Sequence, residues 1–262
     1  MQAFAYQNPS SVADATKAAA ASGAKLVAGG QSLLGAIKLG LAAPEALVDL
    51  GQVAGLRGIT VAGGTVTIGA MTTHAEVAAS AEVQKAIPAL ADLAGHIGDR
   101  QVRNRGTIGG SLANNDPAAC YPAAVLGMGA TVVTDRRSIA ADDFFKGLYE
   151  TALAEGEVIT AVKFPVPEKA GWQKFKQPAS RFSIVGVFVS KGPAGVRVAV
   201  TGAKACVFRA SALEARLAGD WSASACSGVA LPAGDMNSDL HGSAEYRAAL
   251  IPVLAGRAVA GS

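Results

Sequence analysis

The 262-residue chain is short of cysteine and histidine, with three of each, and the shortage removes whole classes of chemistry. Cys120, Cys206 and Cys226 are too widely separated to supply the paired-cysteine spacing of a zinc site or an iron–sulfur cluster. His74 has no second histidine at ligand spacing, so it reads as a structural or capping residue rather than a catalytic base. Half of the residues are hydrophobic, yet no apolar run approaches the roughly 18–20 residues that a membrane-spanning helix needs. The opening MQAFAYQNPSS lacks a basic n-region, an apolar h-region and a cleavage site, and the expected location is cytoplasmic. The formal charge of +3 comes from dispersed Lys and Arg without a basic stripe, which argues against a nucleic-acid partner. The length suits one large domain or two modest ones with a substantial core. Two common nucleotide signatures are also missing: neither the Gly-Lys-Ser/Thr ending of a P-loop nor the Gly-x-Gly-x-x-Gly turn of a Rossmann unit is present.

What the chain does have is two glycine-rich loops, Ala28-Gly29-Gly30-Gln31-Ser32 and Thr107-Ile108-Gly109-Gly110-Ser111. Each joins adjacent glycines to hydroxyl residues, so the backbone can approach a phosphate while Ser or Thr adds donors. A single Gly-Gly turn is more often a packing device. Two of them fit a ligand whose diphosphate is gripped from two sides, by clustered N–H donors and without a lysine.

The pattern along the chain is α+β. Asn8-Pro9-Ser10 signals a helix start, residues 12–21 favour helix, and Gly23 stops it. Residues 25–28 read as a strand that delivers the first glycine loop, residues 33–39 as a helix, and residues 46–50 as an apolar strand. A strand at 66–69 and helices at 73–79 and 88–97 precede the second loop. Pro165, Pro167, Gly171 and Pro178 give residues 161–180 the texture of an inter-domain connector. Runs at 184–190 and 196–202 flank Gly-Pro-Ala-Gly and predict a hairpin, with helices at 211–217 and 244–254 covering one face. Residues 221–242, rich in Ser, Gly, Ala and Asp, match no pattern.

From Phe4 to about residue 217 the sequence resembles the FAD-binding medium subunits of the bacterial molybdenum hydroxylases, the group of carbon monoxide dehydrogenase and the xanthine, nicotine and isoquinoline oxidising enzymes. AGGQSLL at 28–34, the strand Leu47-Val48-Asp49-Leu50, IGAMTTHAEV at 68–77, IGDRQVRNRGTIGGSLANNDPAA at 97–119 and FSIVGV at 182–187 carry the resemblance, in the family's order and spacing. It implies an FAD-binding domain of the vanillyl-alcohol oxidase/PCMH type over residues 1–165, with subdomains of about 1–56 and 57–165. A small antiparallel α+β domain of the carbon monoxide dehydrogenase type follows at 166–262. It further implies an electron-transfer subunit that passes electrons from 2Fe-2S clusters to NAD, a quinone or oxygen. Its partners are a molybdopterin-binding large subunit and a 2Fe-2S small subunit, assembled as a dimer of heterotrimers. A stand-alone FAD oxidoreductase and a flavin-free assembly subunit are the alternatives.

The expected cofactor-binding residues are Ala28, Gly29, Gly30, Gln31, Ser32 and Leu33 in the first loop, and Thr107, Ile108, Gly109, Gly110 and Ser111 in the second, with Ile97, Asn114, Asp116 and Lys176. Asn114 and Asn115 offer amides to ribityl or ribose hydroxyls, or form a polar turn before Pro117; the resemblance favours Asn114 as the ligand contact. Arg103 and Arg105 are either phosphate contacts or a solvated basic turn facing a neighbouring subunit. Ile97 falls where the family packs a side chain on the isoalloxazine, and it also reads as a buried helix residue. Reduced flavin carries negative charge near N1 and the C2 carbonyl, where a cation raises its potential. Lys176 matches the family lysine with that role, against the alternative of a solvent-facing lysine. Cys120 departs from the family pattern, which places a second Asp there. Loss of that carboxylate's hydrogen bond to a cofactor hydroxyl weakens binding by about 1–2 kcal/mol, roughly tenfold, if nothing replaces it.

Overall fold

The structure is a computed structural model and describes residues 3–262. The first unit contains β1 (Ala5–Gln7), α1 (Val12–Ala19), β2 (Ala24–Val27), α2 (Leu33–Lys38) and β3 (Ala46–Asp49). Its strands form a parallel sheet in the order β1-β3-β2. Ser11 caps α1 by accepting from the Asp14 N–H, one residue later than the Asn8-Pro9-Ser10 signal suggests.

The second unit runs through β4 (Ile59–Ala62), β5 (Thr65–Gly69), α3 (His74–Ala79), α4 (Ala81–Ala86), α5 (Pro88–Gly95), α6 (Arg100–Arg105), α7 (Ile108–Asn114) and α8 (Tyr121–Gly127). It continues with β6 (Thr131–Thr134), β7 (Ser138–Ala140), α9 (Ala141–Phe144), β8 (Phe145–Gly147), β9 (Glu150–Thr151) and β10 (Ile159–Pro165). Five of its strands make an antiparallel sheet in the order β4-β5-β10-β6-β7. The third unit is β11 (Lys169–Lys176), β12 (Ser183–Gly192), β13 (Gly195–Thr201), β14 (Phe208–Arg209), α10 (Ser211–Gly219) and α11 (Ala244–Ala260), with the four strands antiparallel in sequence order.

The expected connector at 161–180 is mostly strand. β10 is the centre of the five-stranded sheet, hydrogen-bonded to β5 and β6, and β11 pairs with β12, leaving only residues 166–168 between them. The prolines mislead because they occupy the ends of the strands: Pro165 is the last residue of β10 and Pro178 lies beyond β11. A missing N–H there costs the ladder little. The buried Val162 and Phe164 alternate with half-buried or exposed neighbours, and they are the signal that the punctuation obscures.

One large apolar core lies between the five-stranded sheet and α3, α5, α7 and α8, and reaches Trp172, Phe188 and Ala199 of the third unit. A second fills the other side of the four-stranded sheet beneath α10 and α11. Helix α11 extends to Ala260, past the expected end at 254 and through Pro252. The proline removes one helical hydrogen bond; burial of Leu254, Ala255, Ala258 and Val259 against the sheet offsets it. No helix among the described residues is long and apolar enough to cross a membrane.

Two features lock α11 onto the sheet of the third unit. A Cβ on Gly171 in β11 would collide with the carbonyl oxygen of Ala258 in α11, so strand and helix touch backbone to backbone. Arg247, buried in α11, donates Nη1 to the carbonyls of Ile184 and Gly202 and Nη2 to both carboxylate oxygens of Asp239, which ties the unassigned 221–242 segment to the sheet. Gly171→Ala should therefore lower unfolding stability by about 2 kcal/mol or more, as overpacking against immovable backbone does. Gly219→Ala has nothing within 4 Å of the new methyl, and in urea denaturation it should be neutral or slightly stabilising.

Candidate cofactor site

Strand β2 ends at Val27 and releases residues 28–32 as a loop into α2. Gly30 takes a left-handed backbone, φ 73°, which glycine adopts without strain. Among the described residues, the N–H groups of Gly30, Gln31 and Ser32 have no backbone acceptor. Gln31 folds its amide back onto the Gly29 carbonyl at 3.0 Å. A Cβ on Gly29 would strike the carbonyl oxygen of Arg105 and come within 2.7 Å of the Gly106 Cα, so the first loop is pressed directly onto the segment that leads into the second.

The second loop behaves differently from the expectation of free N–H donors. Four of its five N–H groups are already used: Ile108 donates to the Thr72 carbonyl, Gly109 to Ala70, Gly110 to the Thr107 hydroxyl and Ser111 to the Thr107 carbonyl. Its glycines serve close packing instead, since a Cβ on Gly109 would lie 2.6 Å from the Ala70 methyl. What it offers a ligand is an exposed backbone surface at Gly110 and the hydroxyl of Ser111, beside the donors of the first loop.

The two loops form one end of a cavity of about 540 Å³, within the range of small-molecule sites. All of the expected residues line it except Ile108 and Lys176. Ile108 is fully buried in the large core and does not reach the cavity. Lys176 is exposed. The lysine in the wall is Lys174, whose Nζ donates to the His96 carbonyl at 3.1 Å and to the Cys120 sulfur at 3.3 Å. Two lysines two residues apart on a regular strand share a face, but the ladder with β12 shifts register between Phe175 and Lys176. Such a bulge turns the second side chain away.

Asn114 and Asn115 also separate. Asn114 lines the cavity, whereas Asn115, at φ 42° and buried, donates its amide to the carbonyls of Gly147 and Glu150, both at 2.8 Å. Asp116 accepts from the Ala118 N–H at 2.8 Å and from the Tyr149 hydroxyl at 3.4 Å. His74 is buried, its Nδ1 has no partner, and its ring lies 5.3 Å from that of Tyr121. Burial, with the positive charge of Arg103, pushes its pKa down to about 4, so the ring is neutral at physiological pH. Its backbone N–H holds the Gly106 carbonyl at 3.0 Å, and a Cβ on Gly106 would lie 2.5 Å from its Nε2; it is a prop beneath the loop.

One lining residue had no sequence signal. The Glu157 carboxylate is fully buried and accepts from Arg137 at 2.9 Å, from the Thr134 hydroxyl at 2.7 Å and from the Ala154 N–H at 2.8 Å. Nothing local marks a glutamate whose partner stands twenty residues away, in the turn between β6 and β7.

Donors without acceptors at one end, hydroxyls and an amide along the wall and a lysine at the rim define a site for an extended ligand that carries a diphosphate. These residues fit FAD. The sequence profile described as the FAD binding domain in molybdopterin dehydrogenase matches residues 2–167. The nicotine 6-hydroxylase medium subunit of Paenarthrobacter nicotinovorans is 37% identical, over 99% of this chain and 97% of that one. The carbon monoxide dehydrogenase medium chain of Hydrogenophaga pseudoflava is 36% identical, over 98% of this chain and 96% of that one. Among solved structures, quinoline 2-oxidoreductase from Pseudomonas putida 86 superposes with a TM-score of 0.89 at 31% identity, covering 99% of this chain and 96% of that one. The chain belongs to the FAD-binding medium subunits of the molybdopterin-dependent dehydrogenases, as the resemblance implies.

Glu157 makes the site's frame acid-sensitive. Hydrogen bonds from Arg137 hold its pKa down to about 2, helped by Ala154 and Thr134 and opposed by burial. A carboxylate depressed in the folded state adds stability above its ordinary range, and that stability is lost as pH falls through about 2. Glu157→Gln should cost on the order of 2–3 kcal/mol at neutral pH and flatten the loss of stability between roughly pH 4.5 and 2. Chemical denaturation across that range measures both.

Proposed function

We propose that this chain holds FAD in the 540 Å³ cavity and acts as the electron-transfer subunit of a cytoplasmic multi-subunit molybdenum hydroxylase. In this reading it takes electrons from 2Fe-2S clusters on a small subunit, hydroxylation takes place at molybdopterin on a large subunit, and the electrons leave to an external acceptor. The observation that carries the reading is the first loop, where three successive N–H groups without backbone acceptors face a cavity of cofactor size. Bound FAD supplies the ability to accept electrons singly and release them in pairs.

The chain's own residues then have separate tasks. Gly30, Gln31 and Ser32 would bind the diphosphate through N–H donors, with Ser111 adding a hydroxyl, and Asn114 would orient the hydroxylated chain of the cofactor. Ile97 keeps water from the ring, and Lys174 holds a positive charge at the wall. Cys120 stands where the family pattern has a carboxylate, so the side-chain partner of Lys174 is a thiol and the ammonium charge is left uncompensated. The one histidine in the wall is neutral, buried and occupied in supporting the loop. Among the described residues no group of three or more His, Cys, Asp or Glu side chains gathers as metal ligands. The occupied histidine favours a subunit that carries electrons over an enzyme that transforms a substrate by itself.

The purified chain should take up FAD non-covalently and stoichiometrically, and it should turn over no organic substrate until an iron–sulfur subunit and a molybdopterin subunit are added. Gly30→Val, which forces a branched side chain onto a positive φ and into Leu34, should abolish uptake. Turnover by this chain and FAD alone would overturn the reading.

The two lysines can be told apart by potentiometry. Lys174→Met should lower the midpoint potential of bound FAD by about 30 mV or more, the equivalent of tenfold for a two-electron couple. Lys176→Met should move it by less than ~10 mV on the same scale. The reverse pattern would return the role to Lys176.

A further inference from the structure

Residues 96–105 and 174–181 carry six cations, Arg100, Arg103, Arg105, Lys174, Lys176 and Arg181, against one carboxylate, Asp99. That carboxylate is occupied in capping α6, accepting from the Val102 N–H at 2.8 Å. None of the six cations is ion-paired with a carboxylate among the described residues. Three of them converge on the turn that follows α5: Lys174 reaches the His96 carbonyl at 3.1 Å, Arg103 reaches those of Ile97 at 3.0 Å and Gly98 at 2.9 Å, and Arg181 reaches Gly98 at 3.2 Å. One cation is an ordinary complement to the carbonyl end of a helix. Three, with three more beside them and Asp99 as the only carboxylate in the two segments, exceed that need.

Ile97, Gly98, Lys174, Arg181 and the half-exposed Phe182 all border the cavity, so Lys174 and Arg181, with Arg103 on the same turn, form a cationic collar at its rim. We propose that the collar receives the terminal electron acceptor, and that the acceptor is a small anion bearing phosphate or carboxylate groups rather than a neutral quinone or oxygen. The inference rests on the FAD reading above. A one-signed patch around an opening raises the local concentration of oppositely charged small molecules and their encounter rate, and salt screens the effect.

The test uses the full chain loaded with FAD, reduced anaerobically by light and mixed with one of two one-electron acceptors of opposite charge, the ferricyanide trianion or a ferrocenium cation. Each reduced cofactor delivers its two electrons to two acceptor ions, and its protons pass to water. The ferricyanide rate should fall about tenfold between low and physiological salt, and Arg181→Glu should slow ferricyanide while accelerating ferrocenium. A change in cofactor potential would move both acceptors in the same direction, so opposite shifts report docking. Hexacyanocobaltate(III), a trianion of the same shape that accepts no electron here, should bind the oxidised holoprotein in calorimetry and bind more weakly to Arg181→Glu and to the milder Arg181→Gln. Rates that ignore salt, shifts of the same sign for both acceptors, or equal hexacyanocobaltate affinity in wild type and variants would overturn the proposal. Failure of the wild-type chain to retain FAD would instead overturn the function on which it rests.

Discussion

The contact that the site depends on is the one between the Gly29 backbone and the Arg105–Gly106 peptide, where no side chain fits. It joins the small parallel sheet, which delivers the first loop, to the helices above the antiparallel sheet, which deliver the second. A methyl group at that point would part the two surfaces, and with them the walls of the cavity. The same logic repeats one layer down, where Gly109 lies on Ala70 and Gly106 on His74. Close backbone approach is the main use of glycine here. The first loop combines it with three successive N–H groups that have no backbone acceptor.

Around this contact the polar groups divide into those that build and those that are available. Asn115, Asp116 and Glu157 are largely satisfied by the protein itself, and a buried polar group that is satisfied holds its surroundings in one arrangement. Asn114, Ser111 and the first loop's N–H groups remain directed into open space. His74 shows the distinction within a single residue: its backbone holds Gly106 while its ring stays neutral and buried. Positive charge is concentrated at the rim of the cavity, where Lys174 meets a thiol instead of the carboxylate of the family pattern.

The third unit completes the cavity by bringing β11 and the start of β12 against the turn after α5. Ser190 and Arg197 fix its place by donating to the carbonyls of Gly127 and Leu126. Its helix α11 and its sheet are locked together by backbone contact at Gly171 and by Arg247, whose guanidinium meets carbonyls and a carboxylate at once. Wrapped cations of this kind are retained because removing any acceptor leaves a buried charge without compensation.

The sequence by itself determined what is local. The strand into the first glycine loop, the alternating hairpin strands around Gly-Pro-Ala-Gly, the helix start near Ser11 and the FAD-binding family blocks all follow from neighbouring residues, whose propensities and spacing act over a few positions. Only the tertiary structure decided the rest. It showed that four of the second loop's five N–H groups are taken by Thr72, Ala70 and Thr107, that a bulge turns Lys174 rather than Lys176 to the wall, and that residues 161–180 hold the centre of one sheet and the edge of another. It also paired Glu157 with Arg137 and brought Arg103, Lys174 and Arg181 from two distant segments to one turn at the cavity's edge. Each of these depends on which groups from remote parts of the chain come within hydrogen-bonding or Coulombic range, and a linear pattern of residue types does not carry that information.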